Sequence, residues 1–194
     1  MPAPDTPDRM IFIIRHGEKP PDSPPPYGVD VEGNQNEHSL LPQGWQRAGA
    51  LVRLFAPFDG KLRAGLKTPT ELIAPDYGSA NKDAVHRTHE TILPLSQLLN
   101  LNVETPCSEG SEADLGQRVA AAQTGVTLIC WEHKAIHVIA DNIAPPGTKL
   151  PQSWPGKRFD VIWSFTLDSS SGTYSFDQIP EMLLAGDKDK PIQA

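Results

Sequence analysis

The segment Met10-Ile11-Phe12-Ile13-Ile14-Arg15-His16-Gly17-Glu18 runs through five apolar residues without a polar break and stops at a cation and an imidazole. A short, β-rich apolar run of this kind predicts a strand buried on both faces, as in a parallel sheet. Gly17 then predicts a sharp exit, because glycine takes backbone angles that other residues resist. In open α/β sheets ligands bind at the carboxyl ends of the strands. Arg15 and His16 therefore stand where chemistry is expected.

A second run of the same kind, Gly125-Val126-Thr127-Leu128-Ile129-Cys130-Trp131, ends at Glu132 and His133. Between the two lie amphipathic patterns. Trp45, Ala48, Leu51, Val52 and Phe55 keep helical spacing from about Pro42 to Pro57, with Ser39 or a neighbour as a cap. Val85, Thr88, Ile92, Leu95 and Leu98 or Leu99 mark a second helix despite Pro94. A third runs from Ser111 to about Gln123, with Ser111 as a cap and acidic residues in its first turn. A fourth, after His133, turns Ile136, Ile139 and Ala140 inward. Glu71–Ala74 and Leu101–Glu104 read as short strands, and Phe159–Leu167 pairs with Tyr174–Phe176 as a hairpin at a sheet edge. Strands alternating with helices predict a three-layer α/β/α domain with a mostly parallel, mixed sheet.

The 194 residues suit one domain spanning 1–194, with 38% hydrophobic and 21% charged residues as in an ordinary globular protein. Prolines number 20, and five crowd positions 20–26, so 19–38 reads as a long loop, as does the Pro/Gly-rich 144–158. Segments 1–9 and 187–194 are expected to be flexible. A net charge of −7 argues against nucleic acid as a partner, since such binding neutralises phosphates with Lys and Arg. No run approaches the ~18–20 apolar residues that span a bilayer, so no membrane association is expected. Without a signal-like start, the cytoplasm is the default location. Cys107 and Cys130 have neither a zinc-ribbon nor a disulfide-scaffold spacing.

Four motifs occur in order: Arg15-His16-Gly17-Glu18, Leu40-Leu41-Pro42-Gln43-Gly44-Trp45-Gln46-Arg47-Ala48, Arg87-Thr88-His89-Glu90-Thr91, and Trp131-Glu132-His133. Together they resemble the histidine phosphatase superfamily, with its phosphoglycerate mutase-like fold. The resemblance implies that His16 is the nucleophile and that Arg15, Arg87 and His133 complete a phosphate pocket. It implies no cofactor and no metal. The chemistry of the residues agrees with it. Arginine offers a planar fork of donors to phosphate oxygens. A neutral imidazole can attack phosphorus, and neighbouring cations keep it neutral. His133 would stabilise charge on the transferring oxygens.

The proton donor is left open between Glu109, Glu112 and Glu132. The mutase branch takes its acid from a glutamate some way after the second arginine, where Glu109 and Glu112 lie. Lys134 stands where the phytase-like branch carries an aspartate, which disfavours that mechanism. Lys19 and a proline run replace substrate-holding residues of the mutases, which argues against mutase activity. Arg47 departs from the family's first-helix pattern at a position read as structural. His86, His89 and His137, with His133 and His137 at i, i+4, invite a zinc reading, but no His-Glu-x-x-His motif accompanies them. The reading is a metal-independent phosphomonoesterase acting on a small phosphorylated substrate or a phosphoprotein, phosphohistidine included. Its alternative is a weak or inactive phosphate- or phosphoprotein-binding member of the same fold.

Overall fold

The computed structural model describes residues 9–78 and 86–193. Val85, and all of 1–9 except Arg9, lie outside the described residues. Strands β1 (Arg9–Arg15), β2 (Glu71–Ile73), β3 (Val103–Glu104), β4 (Gly125–Trp131), β5 (Val161–Asp168) and β6 (Thr173–Pro180) form one sheet in the order β3-β2-β4-β1-β5-β6. The first four are mutually parallel, while β5 runs antiparallel to β1 and β6 antiparallel to β5. Helices α1 (Pro42–Phe55), α2 (Arg87–Leu99), α3 (Glu112–Ala121) and α4 (Ile136–Asp141) complete the domain.

The alternation of β1 explains the three layers. Met10, Phe12 and Ile14 join Leu51 and Phe55 of α1 and Ile92 and Leu95 of α2. Ile11 and Ile13 join Leu115 and Val119 of α3 and Ile136 and Ile139 of α4. Successive strand residues point to opposite faces, so an all-apolar strand needs helices on both sides. All five are at most 4% exposed. At ~1.5–3 kcal/mol for each such side chain, their burial contributes on the order of 10 kcal/mol before entropy is counted.

The register of β1 against β4 places the site. Arg15 pairs with Trp131 in parallel, so His16 and the Glu132-His133 pair leave the same carboxyl edge side by side. Gly17 serves a purpose other than the expected one. Its backbone is not left-handed; instead a Cβ there would lie 3.1 Å from the Cα and carbonyl oxygen of Gly44. A Cβ on Gly44 would lie 2.6 Å from the carbonyl oxygen of Glu18. The two glycines let α1 press against the turn that follows β1.

Several local expectations are corrected. Ser39 does not cap α1, whose N-cap is Leu41 with no side-chain bond; its hydroxyl donates instead to Glu90 Oε1 at 2.6 Å. Ser111 is the N-cap of α3 but makes no side-chain cap bond. Phe159 lies outside β5, and β6 extends well beyond Tyr174–Phe176. The described part of the tail, 187–193, is anchored rather than frayed. Asp187 pairs with Arg47 at 2.7 Å and accepts the amides of Leu183 and Leu184, while Ile192 is 4% exposed and bonds Gln178.

That anchoring centres on Arg47, buried in α1 and paired with Glu18, Glu181 and Asp187, each at 2.7 Å. One guanidinium cannot neutralise three carboxylates, and Glu181 is the most deeply buried of them. Burial raises its pKa to about 8 against the pull of Arg47, and its Oε1 has no hydrogen-bond partner among the described residues. An unpartnered buried oxygen suits a carboxyl that keeps its proton. Below the ordinary carboxylate range both folded and unfolded Glu181 are protonated. Between about 4.5 and about 8 only the folded form holds the proton, so this group's contribution to stability falls as pH rises through that window. Glu181→Gln is expected to flatten that fall; urea unfolding midpoints across the window for parent and variant measure it, and parallel curves would contradict it.

Candidate active site

His16 is 3% exposed at the end of β1. Its Nδ1 lies 2.7 Å from the carbonyl oxygen of Gly17. A carbonyl can only accept, so Nδ1 carries the hydrogen and Nε2 keeps its lone pair. Burial, then the charge of Arg15, followed by weaker effects of Arg87 and His133, pushes the pKa of His16 down to about 3 against that carbonyl bond. The imidazole is therefore neutral at physiological pH, with the lone pair on Nε2.

Arg15 is buried beside it. Nη1 donates to the carbonyl oxygens of Gly156 at 2.8 Å and Arg158 at 3.2 Å, and reaches that of Pro155 at 3.5 Å. Phe159 lies under the guanidinium, 3.9 Å from Cζ to the ring centroid, a cation–π contact. Desolvation lowers its pKa to about 10, opposed by the carboxylates of Glu132 and Glu18. Arg87 opens α2, and its Nη2 donates to the carbonyl oxygen of Glu37 at 2.7 Å. Its pKa is also lowered, by burial first. The Nε atoms of both arginines are buried and have no partner among the described residues. Neither arginine has a carboxylate partner within salt-bridge distance among the described residues, so their charge remains available to an anion.

His133 and Glu132 complete the edge. Ligand atoms of His16, Glu132 and His133 all lie within 4.8 Å of one another. Glu132 Oε1 sits 2.5 Å from His133 Nδ1 without the alignment of a ring hydrogen bond, and burial, then the charge of Arg15, lowers the His133 pKa against the pull of Glu132. Its other oxygen accepts the amide of Lys134. Two imidazoles and a carboxylate are a ligand set that zinc accepts. Here they stand within the field of Arg15 and Arg87, which favours an anion over a divalent cation. Among the described residues, no group of three potential ligands includes His86, His89 or His137.

The three acidic candidates part company. The oxygens of Glu112 are occupied, Oε1 by Trp131 Nε1 at 3.0 Å and both by the amide of Gly110, which makes it a clamp between α3 and β4. Glu132 is engaged with His133. Glu109 stays on the exposed loop before α3, and its pKa is raised by desolvation and by the charges of Glu132 and Glu112.

Sequence reasoning missed the three carbonyls that hold Arg15 and the aromatic beneath it. Phe159 falls in the expected strand and Pro155, Gly156 and Arg158 at the end of the expected 144–158 loop, yet together they hold Arg15. A recess of about 240 Å³ lined by Lys19, Pro20, Pro21, Asp22, Pro24, Glu37, His38 and Arg87 opens beside the site, within the Pro-rich loop.

No protein-family model and no curated protein matches the sequence. Among solved structures, the protein histidine phosphatase SixA complexed with tungstate is similar over 89% of this chain and 97% of its own, at 18% identity and a TM-score of 0.53. A mycobacterial glucosyl-3-phosphoglycerate phosphatase complexed with VO3 matches over 88% of this chain and 97% of its own, at 12% identity and a TM-score of 0.47. At 18% identity the likeness is one of fold: this chain has the mixed α/β, phosphoglycerate mutase-like fold that the histidine phosphatase SixA also has.

The depressed pKa of His16 makes a stability prediction. Between about 3 and the ordinary histidine value, the unfolded chain binds a proton there that the folded chain does not. Stability from this group is full above about 6.5 and is lost as pH falls towards about 3. His16→Gln is expected to lessen the acid sensitivity of the unfolding midpoint, read by chemical denaturation on either side of pH 6.5. Unchanged sensitivity would place the His16 pKa near its ordinary value.

Proposed function

We propose that this protein is a metal-independent phosphatase that works through a phosphohistidine on His16. The observation that carries the reading is the fixed tautomer of His16, whose Nδ1 is tied to the Gly17 carbonyl, within the field of Arg15 and Arg87. Arg15, Arg87 and His133 hold the three phosphoryl oxygens as charge builds on them. Nε2 of His16 attacks phosphorus, and the bond from phosphorus to the leaving oxygen breaks. Glu109 gives its proton to that oxygen. Water then attacks the phosphoenzyme, the P–N bond breaks, and Glu109 takes back a proton as inorganic phosphate leaves. Glu132 holds the His133 imidazole in place. The structural neighbour SixA is a protein histidine phosphatase, which supports a phosphorylated protein or a small phosphorylated molecule as substrate.

The test compares an aryl phosphate with an alkyl phosphate, each with and without EDTA. His16→Ala is expected to abolish turnover, and rapid acid-free quenching of the parent to trap labelled phosphate on His16. Glu109→Gln is expected to lower turnover of the alkyl phosphate by ~10²-fold or more and that of the aryl phosphate far less, since a good leaving group needs little protonation. Loss of activity in EDTA would overturn the metal-free mechanism. Binding of phosphate without turnover of any ester would overturn catalysis itself.

A further inference from the structure

Thr91 lies one helical turn beyond Arg87 in α2 and is completely buried. Its Oγ1 accepts the amide hydrogen of Gly17 at 2.8 Å and donates its own hydrogen to the carbonyl oxygen of Arg87 at 2.6 Å. The carbonyl of the same Gly17 receives the Nδ1 hydrogen of His16. These bonds form one chain, from His16 Nδ1–H to the Gly17 carbonyl, and from the Gly17 amide through the Thr91 hydroxyl to the Arg87 carbonyl. A hydroxyl that donates to the carbonyl four residues earlier has its single hydrogen committed, so towards Gly17 it can only accept.

We infer that Thr91 is the positioning residue that sets the His16 tautomer and locks the nucleophile to Arg87. Gly17 lacks a side chain that could fix its two flanking peptide planes, and the close approach of Gly44 leaves no room for one. The hydroxyl of Thr91 fixes the 16–17 peptide through its amide. The carbonyl that takes the imidazole hydrogen belongs to the next peptide, 17–18, which is joined to the first at the Gly17 Cα and packed against Gly44, so anchoring the first plane limits the swing of the second. Because the same hydroxyl is tied to the first turn of α2, a displacement of Arg87 and a rotation of His16 are mechanically coupled. A valine would keep the shape and helical fit of Thr91 and remove both bonds. A serine would keep both bonds and remove only a methyl group.

This inference rests on the phosphatase reading for its kinetic consequence but not for its spectroscopic one. Ring-nitrogen NMR of the parent is expected to show Nδ1 protonated and Nε2 bare, and hydrogen exchange to show a protected Gly17 amide. In Thr91→Val the single-tautomer signature of His16 is expected to give way to a mixture. Turnover should fall by about 10²-fold, the scale of an ångström misplacement, with KM moving much less. Thr91→Ser is expected to restore both readouts. If Thr91→Val does not fold, Thr91→Ala replaces it with the same expectations. An unprotected Gly17 amide in the parent, or an unchanged His16 spectrum in the valine or alanine variant, would overturn the role. If the parent has no turnover, the phosphatase reading fails while the spectra still decide this one.

Discussion

Strand β1 has no solvent-facing side, and the placement of everything else follows from that. Its alternate residues feed two separate cores, so helices must cover both faces of the sheet, and the polar residues of the motif can appear only where the strand ends. The parallel partner β4 is buried in the same way and stays in register with it to Arg15 and Trp131. Two apolar strands thus deliver their first reactive side chains to one edge together. The close contact of Gly17 with Gly44 then brings α1 against the turn, and Arg47 with it.

Holding cations out of water at that edge requires compensation, and the molecule uses unlike devices for Arg47, Arg15 and Arg87. Arg47 is held by carboxylates, which suits a structural role because its donors are fully taken. Arg15 is held at one nitrogen by backbone carbonyls and from below by an aromatic face. Neutral partners steady a cation without cancelling its charge, so its positive field still acts on His16. Among the described residues, Arg87 donates to a single carbonyl, that of Glu37. The pocket arginines stay short of acceptors, and His16 stays neutral in their field. The site is arranged for an anion.

Much of this was legible from residues alone. The uninterrupted run Met10–Ile14, its echo at Val126–Trp131 and the helical spacing of Leu51, Phe55, Ile92 and Leu95 announce the layers, because burial on two faces leaves a continuous apolar signature. The hairpin at the end was legible for the opposite reason, its alternation. Gly17 was legible as special but for the wrong cause: a tight turn and a close approach select the same residue. The tail was misread because Asp187 and Ile192 look like surface composition until Arg47 and the sheet edge are brought to them.

The sequence by itself determined the strand and helix order, and it put Arg15, His16, Arg87 and His133 on elements whose ends meet. It did so because hydrophobic periodicity is a local property that the chain carries in every fold-compatible window. Only the tertiary structure decided which nitrogen of His16 is free, what holds Arg15, and how Glu109, Glu112 and Glu132 divide between loop, clamp and imidazole partner. Those questions depend on contacts such as Thr91 with Gly17 and Arg15 with Gly156, made between residues 74 and 141 positions apart. Distances across that much chain leave no periodic trace in it.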